Sequence, residues 1–334
     1  MRIPPALKRT FSAFSRLNIV KENPEINRDI GAKQSQVLLP IAAILTVLGA
    51  VWPVLFYEGS ALGRYLLQKY EIQAIGDADF EKHMEAELYG VPIEYAPNPQ
   101  KSERTEIASQ LLLLRRIDRG FALICLMITA GLTFTVPKWP RLSWLYIVPA
   151  LWLFANAHAI ALSGGKMFAE FAVPAHATRW GMLAALAMLG FQNSKGEVTA
   201  NWLLRITCSL TFAVHGYEAF QLNPTFQDLL YISAEHVGIE LSEWFCHIVL
   251  RIIGVMDFFL AVSVVAFHRR RLLFWMCCWG LITAASRPVT MGLDAWPEFA
   301  IRLPNSVAPL LVLILSQPAL FLSSSHKTNS LSDS

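Results

Sequence analysis

The chain predicts an all-α, polytopic membrane fold with about eight transmembrane helices, arranged as two four-helix repeats. Three observations carry this: an apolar composition, a series of long apolar runs, and polar landmarks that recur in the same order. Of 334 residues, 54% are hydrophobic and 16% charged, against roughly 25% charged in soluble domains. Mean hydropathy is +0.42. A spanning helix needs about 20 mostly apolar residues. The runs lie near 36–57, 111–135, 143–162, 179–193, 201–221, 245–267, 271–290 and 303–323. The fourth is short, and the second carries charge at its start.

The first 35 residues contain Arg2, Lys8, Arg9, Arg16, Lys21, Arg28 and Lys33. This is unlike the short charged start of a cleaved signal peptide, so residues 1–35 read as a cytoplasmic segment and the first run as a retained helix. Basic residues then fall in alternate connections: Lys138 and Arg141, Lys195, and Arg269 to Arg271. The positive-inside rule places those connections, and with them both termini, in the cytoplasm. The 222–244 connection has Asp228, Glu235, Glu240 and Glu243 but no Lys or Arg, and 59–106 is rich in acidic residues. Both are expected outside. Turn chemistry at Tyr89-Gly90-Val91-Pro92 and Pro97-Asn98-Pro99 marks 59–106 as an outer cap, with a short amphipathic helix expected around 60–72. The Ser-rich tail, 324–334, reads as disordered. A net charge of +3, spread along the chain, leaves no footprint for nucleic acid.

Four correspondences define the repeats, 36–193 and 201–323. Tyr57-Glu58 matches Tyr217-Glu218 at the outer end of the first helix of each half. In the second helix Leu114-Arg115 resembles Leu250-Arg251, or in another register Asp118 aligns with Asp257. Arg141 precedes His158 by the interval that separates Arg270 from Arg287. Glu170-Phe171-Ala172-Val173 matches Glu298-Phe299-Ala300-Ile301. Four helices is an even number, so both copies insert with the same orientation and are related by an axis along the membrane normal.

Ionisable groups inside a bilayer are costly, about 2.5–3.5 kcal/mol on insertion scales, and point to function. Asp257 lies about twelve residues into its helix, roughly 18 Å below the outer surface at 1.5 Å per residue. Arg251 is on the same helix but not at i+3 or i+4. Arg287 or a polar residue of the fifth helix is therefore the expected partner. With odd helices running outward and even ones inward, the polar residues converge in the outer half. One pocket is expected from His215, Glu218, Arg251, Asp257 and Arg287, the other from Glu58, Arg115, Asp118 and His158. The competing reading is structural, with arginine–carboxylate pairs locking helices or carboxylates facing water at helix ends.

Other chemistries lack their patterns. Cys125, Cys208, Cys246, Cys277 and Cys278 lie in or beside apolar helices without Cys-x-x-Cys spacing. There is no HExxH, no Gly-x-Ser-x-Gly and no Walker loop, and Ser163-Gly164-Gly165-Lys166 lacks the earlier glycine and the following hydroxyl residue. No metal site is therefore expected. A b-type haem would need two histidines at matched depth on facing helices, whereas a lone histidine on an apolar helix is more often hydrogen-bonded inside the protein. Trp139, Trp144, Tyr146, Trp180, Trp202, Trp244 and Trp296 lie near helix ends and read as an interfacial belt.

Arg205 opening a helix that reaches Gly216, followed by Gly254-Val255-Met256-Asp257 in the next, resembles the DoxX-like superfamily of four-helix membrane proteins. The likeness covers 201–323 and, more weakly, 36–193. A lysine common in that family after the first-helix glycine is replaced here by Tyr217-Glu218-Ala219. The resemblance implies a compact four-helix bundle per repeat, an acidic residue at Asp257 and, for some members, association with quinone-using membrane redox enzymes. On this reading the cofactor is a quinone and the partners are the lipid bilayer and subunits of a redox complex. Asp257 and His215 would handle protons, and Arg251 and Arg287 would hold a carbonyl or an anion. A transporter and a non-catalytic assembly protein are the alternatives.

Overall fold

The structure is a computed structural model that describes residues 24–57, 59–75, 101–165, 167–191, 193–267 and 269–316. It is all-helical among the described residues. In chain order the helices are α1 (Pro24–Phe56), α2 (Ala61–Ile75), α3 (Lys101–Thr135), α4 (Ile147–Ser163), α5 (Ala172–Ala175), α6 (Ala177–Leu189), α7 (Ser194–Phe220), α8 (Pro224–Glu235), α9 (Glu243–Ala266), α10 (Arg270–Met291), α11 (Trp296–Ala300) and α12 (Pro304–Leu315). Short 3-10 segments precede α4, α5 and α11. Residues 40–316 form one compact unit.

Six stretches are long and apolar enough to cross a membrane: Pro40–Gln68, Ser109–Thr135, Pro140–Ser163, Glu243–Ala266, Arg270–Met291 and Leu293–Leu315. Their outer faces fit a multi-pass membrane protein. On α9, Ile252, Val255, Phe259 and Val262 recur at helical spacing and are 63%, 58%, 63% and 67% exposed, while Leu250, Gly254, Asp257, Leu260 and Val264 are buried. A helix apolar on both its buried and exposed faces is matched to lipid outside and packing inside.

Two of the eight expected runs fall outside the six. α6 has 13 residues, about 20 Å of helix, short for a bilayer core of about 30 Å. α7 has 27 residues, but Arg205, Thr207, Thr211, His215 and Glu218 lower its apolar average. It can carry them because it is central, packing on α6, α9 and α12. Arg205, Thr207 and Thr211 are buried, satisfied by protein instead of lipid.

Two glycines set the closest approach. A Cβ on Gly254 would fall 2.7 Å from the Gly216 carbonyl oxygen, and one on Gly216 would fall 2.9 Å from that of Gly254. Small residues at such a crossing let backbones meet. At the other end of the pair, Arg205 donates from Nε to the Val264 carbonyl at 2.9 Å and from a terminal nitrogen to that of Val265. These are carbonyls of the last turn of α9 and its neighbour, which the helix itself leaves without donors. The Trp202 ring lies 4.1 Å from the Arg205 guanidinium carbon, a cation–π contact.

The short helix expected around 60–72 is α2. The 222–244 connection, expected as loop, contains α8. α7 ends in a Schellman turn: Leu222 has φ 58°, its N–H donates to Ala219, and the Asn223 N–H donates to Glu218. Asn223 then caps α8, accepting from the Thr225 N–H at 3.0 Å, with Pro224 at the first helical position. Beyond this reversal α8 packs against α9 and α10. Of the expected tryptophan–tyrosine belt, Trp139, Trp144, Trp202 and Trp244 are 46–72% exposed. Tyr146, in contrast, is a core residue at 2%, and Trp296 packs edge-on against Trp52 at 5.0 Å.

Candidate functional site

A cavity of about 460 Å³ lies among α6 to α10 and α12. Its walls have two characters. α8 presents Phe226, Leu229, Leu230 and Ser233, spaced i, i+3, i+4 and i+7 as one helix face. None of its residues is buried, so that face fronts a cavity instead of a packed core. Leu250 and Ile253 of α9 and Ile282 of α10 extend the apolar lining. Ile282 is 54% exposed midway along α10, which brings the apolar part of the cavity to the lateral surface.

The polar wall gathers residues from separate helices. α7 supplies Phe212, His215 and Glu218 at three-residue intervals. Opposite them stand His176 and Arg179 at the start of α6, Arg287 of α10 and Arg302 just before α12. Arg302 forms an i,i+4 pair with Glu298. Neither Arg179 nor Arg287 lies within ion-pair distance of a described carboxylate. Arg287 is 8% exposed, and its Nε has no hydrogen-bond partner among the described residues. Glu218 accepts from the Asn223 amide at 3.4 Å. His215 meets Phe226 edge-on, with ring centroids 6.3 Å apart, which ties the polar helix to the apolar cover.

Asp257 is 4% exposed and lines the same cavity. Its described partner is the Trp279 indole, whose Nε1–H donates to Oδ1 at 2.9 Å. The arginine suggested as its partner does not pair with it, because Arg287 lies two turns beyond Trp279 on α10. Behind the polar wall the Thr178 hydroxyl donates to the Asn305 side chain at 2.6 Å, and the Thr211 hydroxyl accepts from the Thr178 N–H at 3.1 Å. This buried network fixes α6, α7 and α12 together, so the side chains on them hold their positions.

Of the residues expected in the second pocket, His215, Glu218, Asp257 and Arg287 share the cavity and Arg251 does not. Arg251 is exposed: six residues from Asp257 is about 240° around the helix, which turns it to another face. The first-half set does not assemble in the same way. Glu58 lies outside the described residues. Asp118 accepts from the Ser60 N–H at 2.8 Å and the Ser60 hydroxyl at 2.5 Å, while Ser60 Oγ accepts from the Gly63 N–H at 2.9 Å. The Leu62 N–H goes to Asn156 at 3.1 Å. These bonds cap the N-terminus of α2. Arg115 is exposed, and His158 is exposed and stacked on Phe154, with centroids 6.5 Å apart.

Sequence reasoning missed four contributors: Arg179, Arg302, Trp279 and the inner face of α8. The face had a signal in its spacing after Asn223-Pro224, and Arg302 had one in its four-residue interval from Glu298. All five cysteines are free. Among the described residues no three His, Cys, Asp or Glu side chains converge as metal ligands. Comparison with known proteins finds no matching family model, curated protein or solved structure.

The arrangement suits a molecule with both an apolar body and a polar head. Guanidinium groups offer fixed donors to a carbonyl or an anion. His176, His215, Glu218 and Asp257 are the imidazole and carboxyl groups that line the cavity.

Proposed function

We propose that this multi-pass membrane protein binds a lipophilic molecule with a polar head in the cavity beneath α8. The observation that carries the reading is the meeting, in one cavity, of an apolar helix face with Arg287 and Asp257. A volume of about 460 Å³ falls in the range of about 300–1,000 Å³ for small-molecule sites. A quinone is one such molecule, and binding it would make the chain a subunit of a membrane oxidoreductase system. Arg287 would then hold a carbonyl, with Asp257 and His215 handling protons.

The same reading includes a tandem 4+4 core of the DoxX-like kind. The helix lengths from α1 to α6, 33, 15, 35, 17, 4 and 13 residues, are followed in the same order by 27, 12, 24, 22, 5 and 12 residues from α7 to α12, and that recurrence supports it. Both termini and the connections at Lys138, Lys195 and Arg269 lie in the cytoplasm on this account. A membrane-impermeant thiol reagent applied to intact cells should label a cysteine introduced at Glu240 and spare one at Lys195. The reverse pattern would invert the topology.

The test of the ligand is direct. The protein is purified in mild detergent, its oxidised and reduced absorption spectra are recorded, and bound molecules are extracted and identified. A lipophile retained by the wild type and lost from the Asp257→Asn, Arg287→Gln double variant supports the proposal. Equal recovery of bulk phospholipid from both contradicts it.

A further inference from the structure

The charge at the polar wall goes beyond what a neutral head requires. Arg179, Arg287 and Arg302 lie within electrostatic reach of one another, and His176 and His215 stand beside them. The described carboxylates within reach of these arginines are Glu298, already paired with Arg302, and Glu218, held by Asn223 with Glu170 near it. Asp257 does not offset the cluster, since its described contact is with Trp279. Three guanidinium groups therefore face two carboxylates, with two imidazoles alongside. A lone buried cation is costly unless paired and hydrogen-bonded, yet Arg287 lines the cavity at 8% exposed and its buried Nε has no hydrogen-bond partner among the described residues.

We propose that the cavity selects an amphiphile with an anionic head, a carboxylate or a phosphate, held by Arg179, Arg287 and Arg302, with its apolar chain beneath α8 toward Ile282. The inference rests on the lipophile-binding reading and narrows its ligand class. Arginine suits the head because its planar fork binds carboxylate and phosphate oxygens through two parallel hydrogen bonds. The exposed flank at Ile282 gives the chain an outlet to the hydrocarbon region, so the head and first carbons are enclosed and the remainder lies in lipid.

The probes are dodecyl phosphate, dodecanoate, 1-dodecanol, decylubiquinone and inorganic phosphate, each titrated into the full-length protein in dodecyl maltoside and read by native mass spectrometry. The two anionic amphiphiles should bind, with 1-dodecanol and inorganic phosphate each about tenfold weaker or worse, the scale of losing one charge-assisted hydrogen bond or the chain contacts. Arg287→Gln and, separately, Arg179→Gln should weaken the anionic amphiphiles by about tenfold while leaving 1-dodecanol unchanged. Two variants on different helices keep the test valid if one fails to fold, and monodispersity on gel filtration checks each. If decylubiquinone or 1-dodecanol binds as tightly as dodecyl phosphate and neither substitution matters, the anionic head is refuted and lipophile binding stands. Inorganic phosphate matching dodecyl phosphate would mean a free-anion site and overturn the amphiphile. If no probe binds, both readings fall.

Discussion

Asp118 of α3 and Asp257 of α9 are both carboxylates carried well inside long helices, and they are used in opposite ways. Asp118 takes two hydrogen bonds from Ser60 and so fastens the start of α2. Asp257 takes one, from Trp279, and fronts a cavity. The short helices that follow show the same contrast. α2 is tied down at its N-terminus by Asp118 and Asn156, whereas α8 is capped by its own Asn223 and spans a cavity. A polar side chain in an apolar setting thus serves architecture where its partners are in reach and becomes available for chemistry where they are not. Burial alone does not separate the two; the count of partners does.

The largest effect that sharpens this comparison concerns glycines. Gly254→Val should cost about 3 kcal/mol through overpacking against α7, while Gly131→Val on α3, where a Cβ meets nothing within 4 Å, should stay within about 0.5 kcal/mol. Thermal unfolding of the two variants in detergent measures the difference, and equal losses would break the contrast. Next, Arg287→Met should leave thermal stability unchanged or raised while weakening dodecyl phosphate binding about tenfold. A fall of about 3–5 kcal/mol instead would mean that Arg287 belongs to a structural ion pair.

Asp118→Ala should lower stability by about 1–2 kcal/mol, the worth of a cap and its hydrogen bonds, without changing ligand affinity. Asp257→Asn keeps an acceptor for the Trp279 indole, so its stability change should be under about 1 kcal/mol, with any effect falling on ligand binding or turnover. His158→Ala, at an exposed site, should stay within about 0.5 kcal/mol. A clear loss of ligand affinity in His158→Ala would restore a binding role to the first half.

Much of the fold was legible because lipid imposes a strong compositional demand: long apolar helices and the short helix near 60–72 followed from it. What misled was polarity that serves the interior. α7 resembles an ordinary spanning run in the sequence, but Arg205, Thr211 and His215 keep it below the apolarity of its neighbours because it packs against α6, α9 and α12. α8 is hard to see in the sequence because its apolar face is only four positions wide and lies in an acidic connection. Four of the five second-half site residues fall on one cavity, since each lies on the inward face of a helix whose position the periodicity fixes. Arg251 shares the depth of the site but not its face, being about 240° around the helix from Asp257. Arg179 and Arg302 come from helix starts on different segments, and only tertiary packing brings them together.

The most direct measurement is photolabelling in native membranes with a dodecyl phosphate analogue carrying a diazirine on its chain, followed by peptide mapping. The account predicts adducts concentrated on 224–235 and 279–287, reduced in Arg287→Gln and competed by unlabelled dodecyl phosphate. Labelling spread evenly over the lipid-facing helices, or centred on 61–68 beside Asp118, would contradict it.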